Sequence, residues 1–256
     1  MEYDRTPLPE VYRVARTLPP ETMEVWGRAI RAMLPAAVAL GRVVDLGCGT
    51  ARFTRLLADV LQASVVGVEP SLRMLAEREI RDGRVARFVA GTAEALPLAD
   101  GSIDLVFASM VYHHLRPDVA LAEARRVLRP GAHLMLRTPT RESLGHFTYL
   151  TFFPDALAID EARMPSRRAL IQACEAAGFG LRGHELVRQR FAEDHADYYR
   201  KISRRGLSSL LLIADDAFAR GLREFEAYCR SAEPHEPIYE SVELFLFARG
   251  ESLSRR

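Results

Sequence analysis

One short run constrains this chain more than any other: Val43-Val44-Asp45-Leu46-Gly47-Cys48-Gly49-Thr50-Ala51. Arg42–Leu46 is a brief apolar run ending at glycine, the pattern of a strand buried on both faces. Beyond the glycines, Phe53, Leu56, Leu57, Val60 and Leu61 recur at helical spacing between Thr50 and Leu61. A strand that turns through glycines into a helix lets backbone approach a ligand closely, because no Cβ intrudes. The same turn serves dinucleotides, which ask for glycine at the sixth place of G-x-G-x-x-G. Here that place is Arg52, whose bulk keeps a pyrophosphate off the helix N-terminus. An acid, Asp45, also stands two residues before Gly47. A carboxylate aimed into the site repels pyrophosphate and suits a ligand carrying an ammonium and a sulfonium.

The rest of the chain alternates strand and helix. Strands are predicted at Arg42–Leu46, Ser64–Glu69, Val85–Ala90, Ile103–Ala108, Ala132–Arg137, and near Phe179–Val187 and Ser241–Ala248. Helices are predicted at Leu8–Leu18 and Glu21–Leu34, at Thr50–Leu61, at Ser71–Ile80 with Ser71 as cap, around Leu121–Leu128, and at Ser166–Ala177 before Gly178. This order predicts an α/β fold, a doubly wound and mostly parallel seven-stranded sheet with helices on both faces. Such sheets place ligands beyond the carboxyl ends of their strands, where strand order reverses. Residues 1–140, 166–187 and 240–256 are assigned to the core, with lid helices over 1–36. Residues 141–165 and 188–239 exceed the alternation and read as inserted helical cap segments walling a substrate. Glu69, about one βα unit past Gly47, is placed to accept both hydroxyls of a ribose, and Met74 to lie against an adenine face.

Asp45-Leu46-Gly47-Cys48-Gly49-Thr50 with Val68-Glu69-Pro70-Ser71 downstream resembles the class I S-adenosylmethionine-dependent methyltransferases, which have a Rossmann-like fold. Gly91-Thr92-Ala93-Glu94-Ala95-Leu96-Pro97, Asp100-Gly101-Ser102-Ile103-Asp104-Leu105-Val106, Ser109-Met110-Val111-Tyr112-His113-His114-Leu115 and Arg126-Val127-Leu128-Arg129-Pro130-Gly131 resemble the small-molecule branch that includes ubiquinone/menaquinone methyltransferases. The likeness is close over residues 38–140. It implies S-adenosyl-L-methionine as cofactor, with Asp45 and Gly47 on the methionine part, Cys48 and Gly49 in the loop, Glu69 and Pro70 beside the ribose, Thr92 and Ala93 on the adenine edge, and Ser109 and Met110 beside the sulfonium. Ala51 stands where the family most often has glycine, and Thr92 where aspartate is usual.

Methyl transfer from a sulfonium is an in-line displacement that discharges a cation, so the protein mainly aligns the nucleophile and excludes water. A base is needed only when the acceptor must lose a proton early. His113 is the first candidate base and His114 the second; both follow the fourth strand, and both can instead satisfy backbone groups at a turn. Tyr12 and Arg16 are candidates to close over the cofactor, Arg16 on its carboxylate. His146, Phe147, Tyr149, Phe152 and Phe153 are candidate acceptor walls or plain cap core. No Asn/Asp-Pro-Pro-Tyr tetrad surrounds Ser109, which disfavours planar nitrogen acceptors and leaves a small organic acceptor methylated at oxygen or carbon.

Composition adds exclusions. A net charge of +1 gives no global field for nucleic acid or an anionic membrane. The alternatives are a tRNA or protein methyltransferase of the same fold, requiring a basic groove from Arg200, Lys201, Arg204 and Arg205, and a non-catalytic nucleotide-binding relative. The three cysteines, Cys48, Cys174 and Cys229, lack zinc spacing and predict a reducing, cytoplasmic setting with no structural metal. Asp215-Asp216 reads as a helix start. No apolar run is long enough for a membrane span, and the first residues do not read as a signal peptide.

Overall fold

The computed structural model describes residues 15, 17–36, 38–78, 86–233 and 235–250. Its strands are β1 (Arg42–Leu46), β2 (Ser64–Glu69), β3 (Ala86–Ala90), β4 (Ile103–Ser109), β5 (Leu128–Thr138), β6 (Phe179–Ala192) and β7 (Ile238–Arg249). They form one seven-stranded sheet in the order β3-β2-β1-β4-β5-β7-β6. The pairs from β3 to β5 are parallel, whereas β7 runs antiparallel between β5 and β6. Strand order reverses between β1 and β4, which is where an open sheet leaves a crevice for ligands.

Alternation along the strands builds two cores. Val43, Leu105 and Met135 face α1 (Pro20–Met33) and α2 (Arg52–Leu61), burying Trp26, Ile30, Phe53 and Leu57. Val44, Val106 and Leu134 face the other way, toward Leu121 and Ala124 of α4 (Pro117–Val127) and Leu170 and Cys174 of α6 (Arg167–Ala176). Between these lies α3 (Leu72–Ala76), whose Ser71 cap accepts from the Met74 N–H at 3.0 Å. The helix predicted through Ile80 ends four residues earlier. Ser166 caps α6 as expected, accepting from the Ala169 N–H.

The cap comprises short 3-10 turns over Arg141–His146 and Thr148–Phe152, followed by α5 (Pro154–Arg163), α7 (His195–Ser203), α8 (Ser208–Leu212) and α9 (Asp215–Ser231). Phe153 stacks on Phe218 at 5.6 Å, and the Tyr149 N–H donates to the Tyr198 hydroxyl at 2.9 Å. These residues continue the same buried cluster as Trp26 and Phe107, so cap and sheet share one core.

The cap boundary drawn at residue 188 falls inside the sheet, because β6 continues to Ala192 and β7 begins at Ile238. Arg188 and Arg190 make this stretch look like a loop. In fact Val187, Gln189 and Phe191 alternate inward between them, the period of a strand with one buried face. Tyr12 and Arg16 lie outside the described residues, as does most of the first predicted helix.

Candidate active site

The loop after β1 owes its shape to Gly47, which has φ +68° and donates its N–H to Val68 O at 2.8 Å. A Cβ there would lie 2.5 Å from Val111 Cγ1. Two effects therefore demand glycine, the left-handed backbone and the close approach of the β4 end. Ala51, at φ +68°, holds the same left-handed conformation without glycine's freedom. That is the physical meaning of the departure from the family's usual glycine.

Glu69 ends β2 with its side chain buried, 5% exposed. Its Oε2 accepts from the Gly49 N–H and its Oε1 from the Ser71 N–H, each at 3.0 Å. Two backbone donors thus orient the carboxylate, and each oxygen has a second lone pair with which to accept. In front lies a cavity of about 150 Å³, walled by Gly47, Glu69, Pro70, Thr92, Ala93 and Val111, with His114 at its margin. Five of the expected cofactor residues meet there. Gly49 acts from behind, through its N–H to Glu69.

The others are placed differently. Asp45 is 1% exposed and is not on the cavity wall; its Oδ2 accepts from the Thr54 hydroxyl at 2.6 Å. Burial pushes its pKa up to about 7, against the Thr54 hydrogen bond and reinforced by the charge of Glu69. An aspartate on β1 points to the side of the sheet that α2 covers, so Thr54 reaches it first. The reading of Asp45 as a group aimed into the site is corrected accordingly. Met74 is 3% exposed and off the wall, as is Cys48, whose thiol burial pushes far up in pKa. Ser109 Oγ takes a 3.2 Å hydrogen bond from Arg137 Nη1 and borders neither cavity.

A second cavity, about 30 Å³, opens under the cap. Met110, His113, Phe147 and Tyr149 wall it, together with Arg163 and Glu240. Met110 has φ +58° and donates its N–H to Arg137 O at 2.7 Å, one step beyond the β4–β5 ladder. A left-handed methionine is costly, and strain of this kind is kept where a site needs it. After it, the chain alternates between the two cavities. Met110 and His113 border the second, Val111 and His114 the first, and the imidazole centroids are 4.0 Å apart. The histidines expected to share one role therefore sit on different cavities.

Phe147 and Tyr149 line the cap-side cavity, whereas His146 is exposed and Phe152 and Phe153 pack within the cap against Phe225. Asp160, Arg163, Ser208, Ser209 and Glu240 were not foreseen on this wall. They come from three elements far apart in the chain, and no local pattern marks them.

Three of the four basic residues that the tRNA or protein alternative would require in a groove are paired with acids. Lys201 is buried against Asp197 at 3.1 Å, Arg200 pairs with the same carboxylate at 2.5 Å, and Arg205 pairs with Asp215 at 2.6 Å. Among the described residues, no helix is long and apolar enough to cross a membrane.

A methyltransferase-domain family matches residues 44–136, the segment from β1 through β5 that carries the loop, Glu69 and both histidines. A Mycobacterium tuberculosis protein described as an uncharacterized methyltransferase, Rv3342, is 40% identical over 116 residues, 44% of this chain and 45% of its own. The ubiquinone/menaquinone biosynthesis C-methyltransferase UbiE of Rubrivivax gelatinosus is 33% identical over 183 residues, covering 63% of this chain and 72% of its own. The crystal structure of a geranyl diphosphate C-methyltransferase from Streptomyces coelicolor, bound to S-adenosyl-L-homocysteine, superposes with a TM-score of 0.55 at 14% identity, covering 88% and 79% of the two chains. Fold and sequence together define an α/β protein of the methyltransferase class. The chain belongs to the S-adenosylmethionine-dependent methyltransferase family. It spans about half the length of the first of these curated relatives.

Proposed function

We propose that this protein transfers a methyl group from S-adenosyl-L-methionine to a small organic acceptor at oxygen or carbon. The carrying observation is Glu69, a buried carboxylate held by the Gly49 and Ser71 N–H groups at the mouth of a nucleoside-sized cavity. In this reading Glu69 accepts the two ribose hydroxyls, the peptides of Thr92 and Ala93 meet the adenine edge, and Pro70 supports the sugar. Gly47 gives the methionine part room, with Met110 beside the sulfonium. Asp45 contributes negative charge from beneath the loop rather than a surface. The residues fit such a cofactor because Gly47 brings bare backbone to the cavity wall, where a Cβ would collide with Val111.

When bound, the cofactor supplies an electrophilic methyl on a positively charged sulfur. The chain's own work is to hold the acceptor under the cap, exclude water and manage one proton. His113 borders the cap-side cavity and accepts the proton of a phenol or enol hydroxyl as the new bond forms. The name of the Rubrivivax relative supports carbon as one acceptor atom, and a base at His113 suits oxygen equally. All three cysteines are free thiols, which suits a cytoplasmic setting. The pairing of Arg200, Lys201 and Arg205 with Asp197 and Asp215 speaks against a continuous basic groove for a nucleic-acid acceptor.

Titration calorimetry with S-adenosylmethionine, S-adenosylhomocysteine and NADH tests the cofactor. The first two are expected to bind and NADH not. Glu69→Ala is expected to weaken binding by at least about tenfold, as for loss of hydrogen bonds to a charged group. A panel of phenols, quinols and carboxylic acids with labelled cofactor tests transfer. Labelling of tRNA but of no small molecule would overturn the acceptor class, and binding without any transfer would favour a non-catalytic relative.

A further inference from the structure

One corner of the cap-side cavity is not explained by methyl transfer. On α5, Arg163 and the buried Asp160 form a largely buried ion pair, with Nη2 at 2.6 Å and Nε at 2.8 Å from the same Asp160 Oδ1. Arg163 Nη2 also donates to Ser208 Oγ on α8 at 2.7 Å. Ser209, 1% exposed, lines the same wall. Attraction within a buried pair barely offsets its desolvation, so stability alone gives little reason to set one into a cavity wall. Donors are left over. Nothing among the described residues accepts from Arg163 Nη1, and Ser208, accepting from Arg163, keeps its own hydroxyl proton to donate.

Charge narrows the partner. The guanidinium is already offset by Asp160. An entering anion would meet the Asp160 carboxylate beside a guanidinium already offset, and an entering cation would face the guanidinium edge. A neutral oxygen meets neither penalty and satisfies the donors. Ser208 Oγ, itself a neutral oxygen on Arg163, marks what the corner holds when closed.

We propose that the Arg163–Ser208–Ser209 corner recognises a neutral carbonyl oxygen on the acceptor. The present space, about 30 Å³, has room for about two waters. The acceptor therefore enters by parting α8 from α5, and its carbonyl takes over the hydrogen bond that Ser208 gives up. This inference rests on the cap-side cavity being the acceptor site.

Binding of acetophenone, ethylbenzene and benzoate to the whole chain, without sulfonium and without turnover, tests it by calorimetry. Failure of the carbonyl preference is thereby separated from failure of methyl transfer. Acetophenone is expected to bind at least about tenfold more tightly than ethylbenzene, the scale of a hydrogen bond to a charged group, and more tightly than benzoate. The double variant Asp160→Leu with Arg163→Met removes both charges at once and is expected to abolish the preference. Should that variant not fold, Ser209→Ala removes a single hydroxyl and is expected to narrow it. Equal binding of acetophenone and ethylbenzene, tightest binding of benzoate, no binding of any probe, or a preference unchanged in the folded variants would each overturn the proposal.

Discussion

Asp45 and Ala51 show how much one residue can reveal when its environment is known. Burial holds the Asp45 carboxyl near pKa 7, well above its ordinary 3.8. A raised acid binds its proton more tightly in the folded state, so its contribution to stability is complete below about pH 4 and disappears as pH climbs to about 7. Asp45→Asn cannot lose that contribution. Its stability relative to the native chain is expected to improve between pH 5 and pH 8 in urea titrations, and parallel pH profiles would refute the placement. Ala51 at φ +68° gives the second expectation. A left-handed alanine costs about 1–2 kcal/mol, part of which glycine's unfolded freedom takes back. Ala51→Gly should therefore raise stability by about 0.5–1 kcal/mol in the same measurement, without weakening S-adenosylhomocysteine binding.

At the level of elements, Gly221 reverses a helix rule. In an exposed helix interior, glycine to alanine stabilises. Here a Cβ would lie 2.6 Å from Phe153 Cδ1 and press on the Phe152 carbonyl oxygen, where α9 crosses the turn before α5. Gly221→Ala is expected to destabilise by about 1–3 kcal/mol through overpacking, read as a lower thermal midpoint. Elements were also where the residues spoke most clearly. β1 and β2 follow from apolar runs between glycine and polar breaks, and the Ser71 and Ser166 caps from hydroxyls placed before helical periodicity. Glu69 was legible because its distance from Gly47 is the length of one βα unit. The side Asp45 takes is set by strand alternation, which sends it under α2, and the loop motif alone does not carry that information. The cap-side cavity wall was illegible for another reason. Asp160, Ser208 and Glu240 meet only through tertiary packing, and each alone looks like an ordinary helix or strand residue.

For the molecule as a whole, a ligand that binds only the folded state stabilises it by mass action. S-adenosylhomocysteine at about one hundred times its dissociation constant should add about 2.7 kcal/mol. For a chain of this size that corresponds to a rise of about 5–10 °C in thermal midpoint. NADH at the same concentration should leave the midpoint unchanged, and a shift with both ligands would refute the selectivity argued from Arg52.

The place of β7 carries a consequence for biosynthesis. Of the described strands it is the last to leave the ribosome, yet it slots between β5 and β6 and is the neighbour that ties β6 into the sheet. Until it emerges, two long ladders stand open on the nascent polypeptide, and the shared hydrophobic interior lacks Val242, Leu244 and Leu246. Chaperone dependence should accordingly be concentrated in the interval before β7 emerges, when unpaired edges are most prone to capture by other chains.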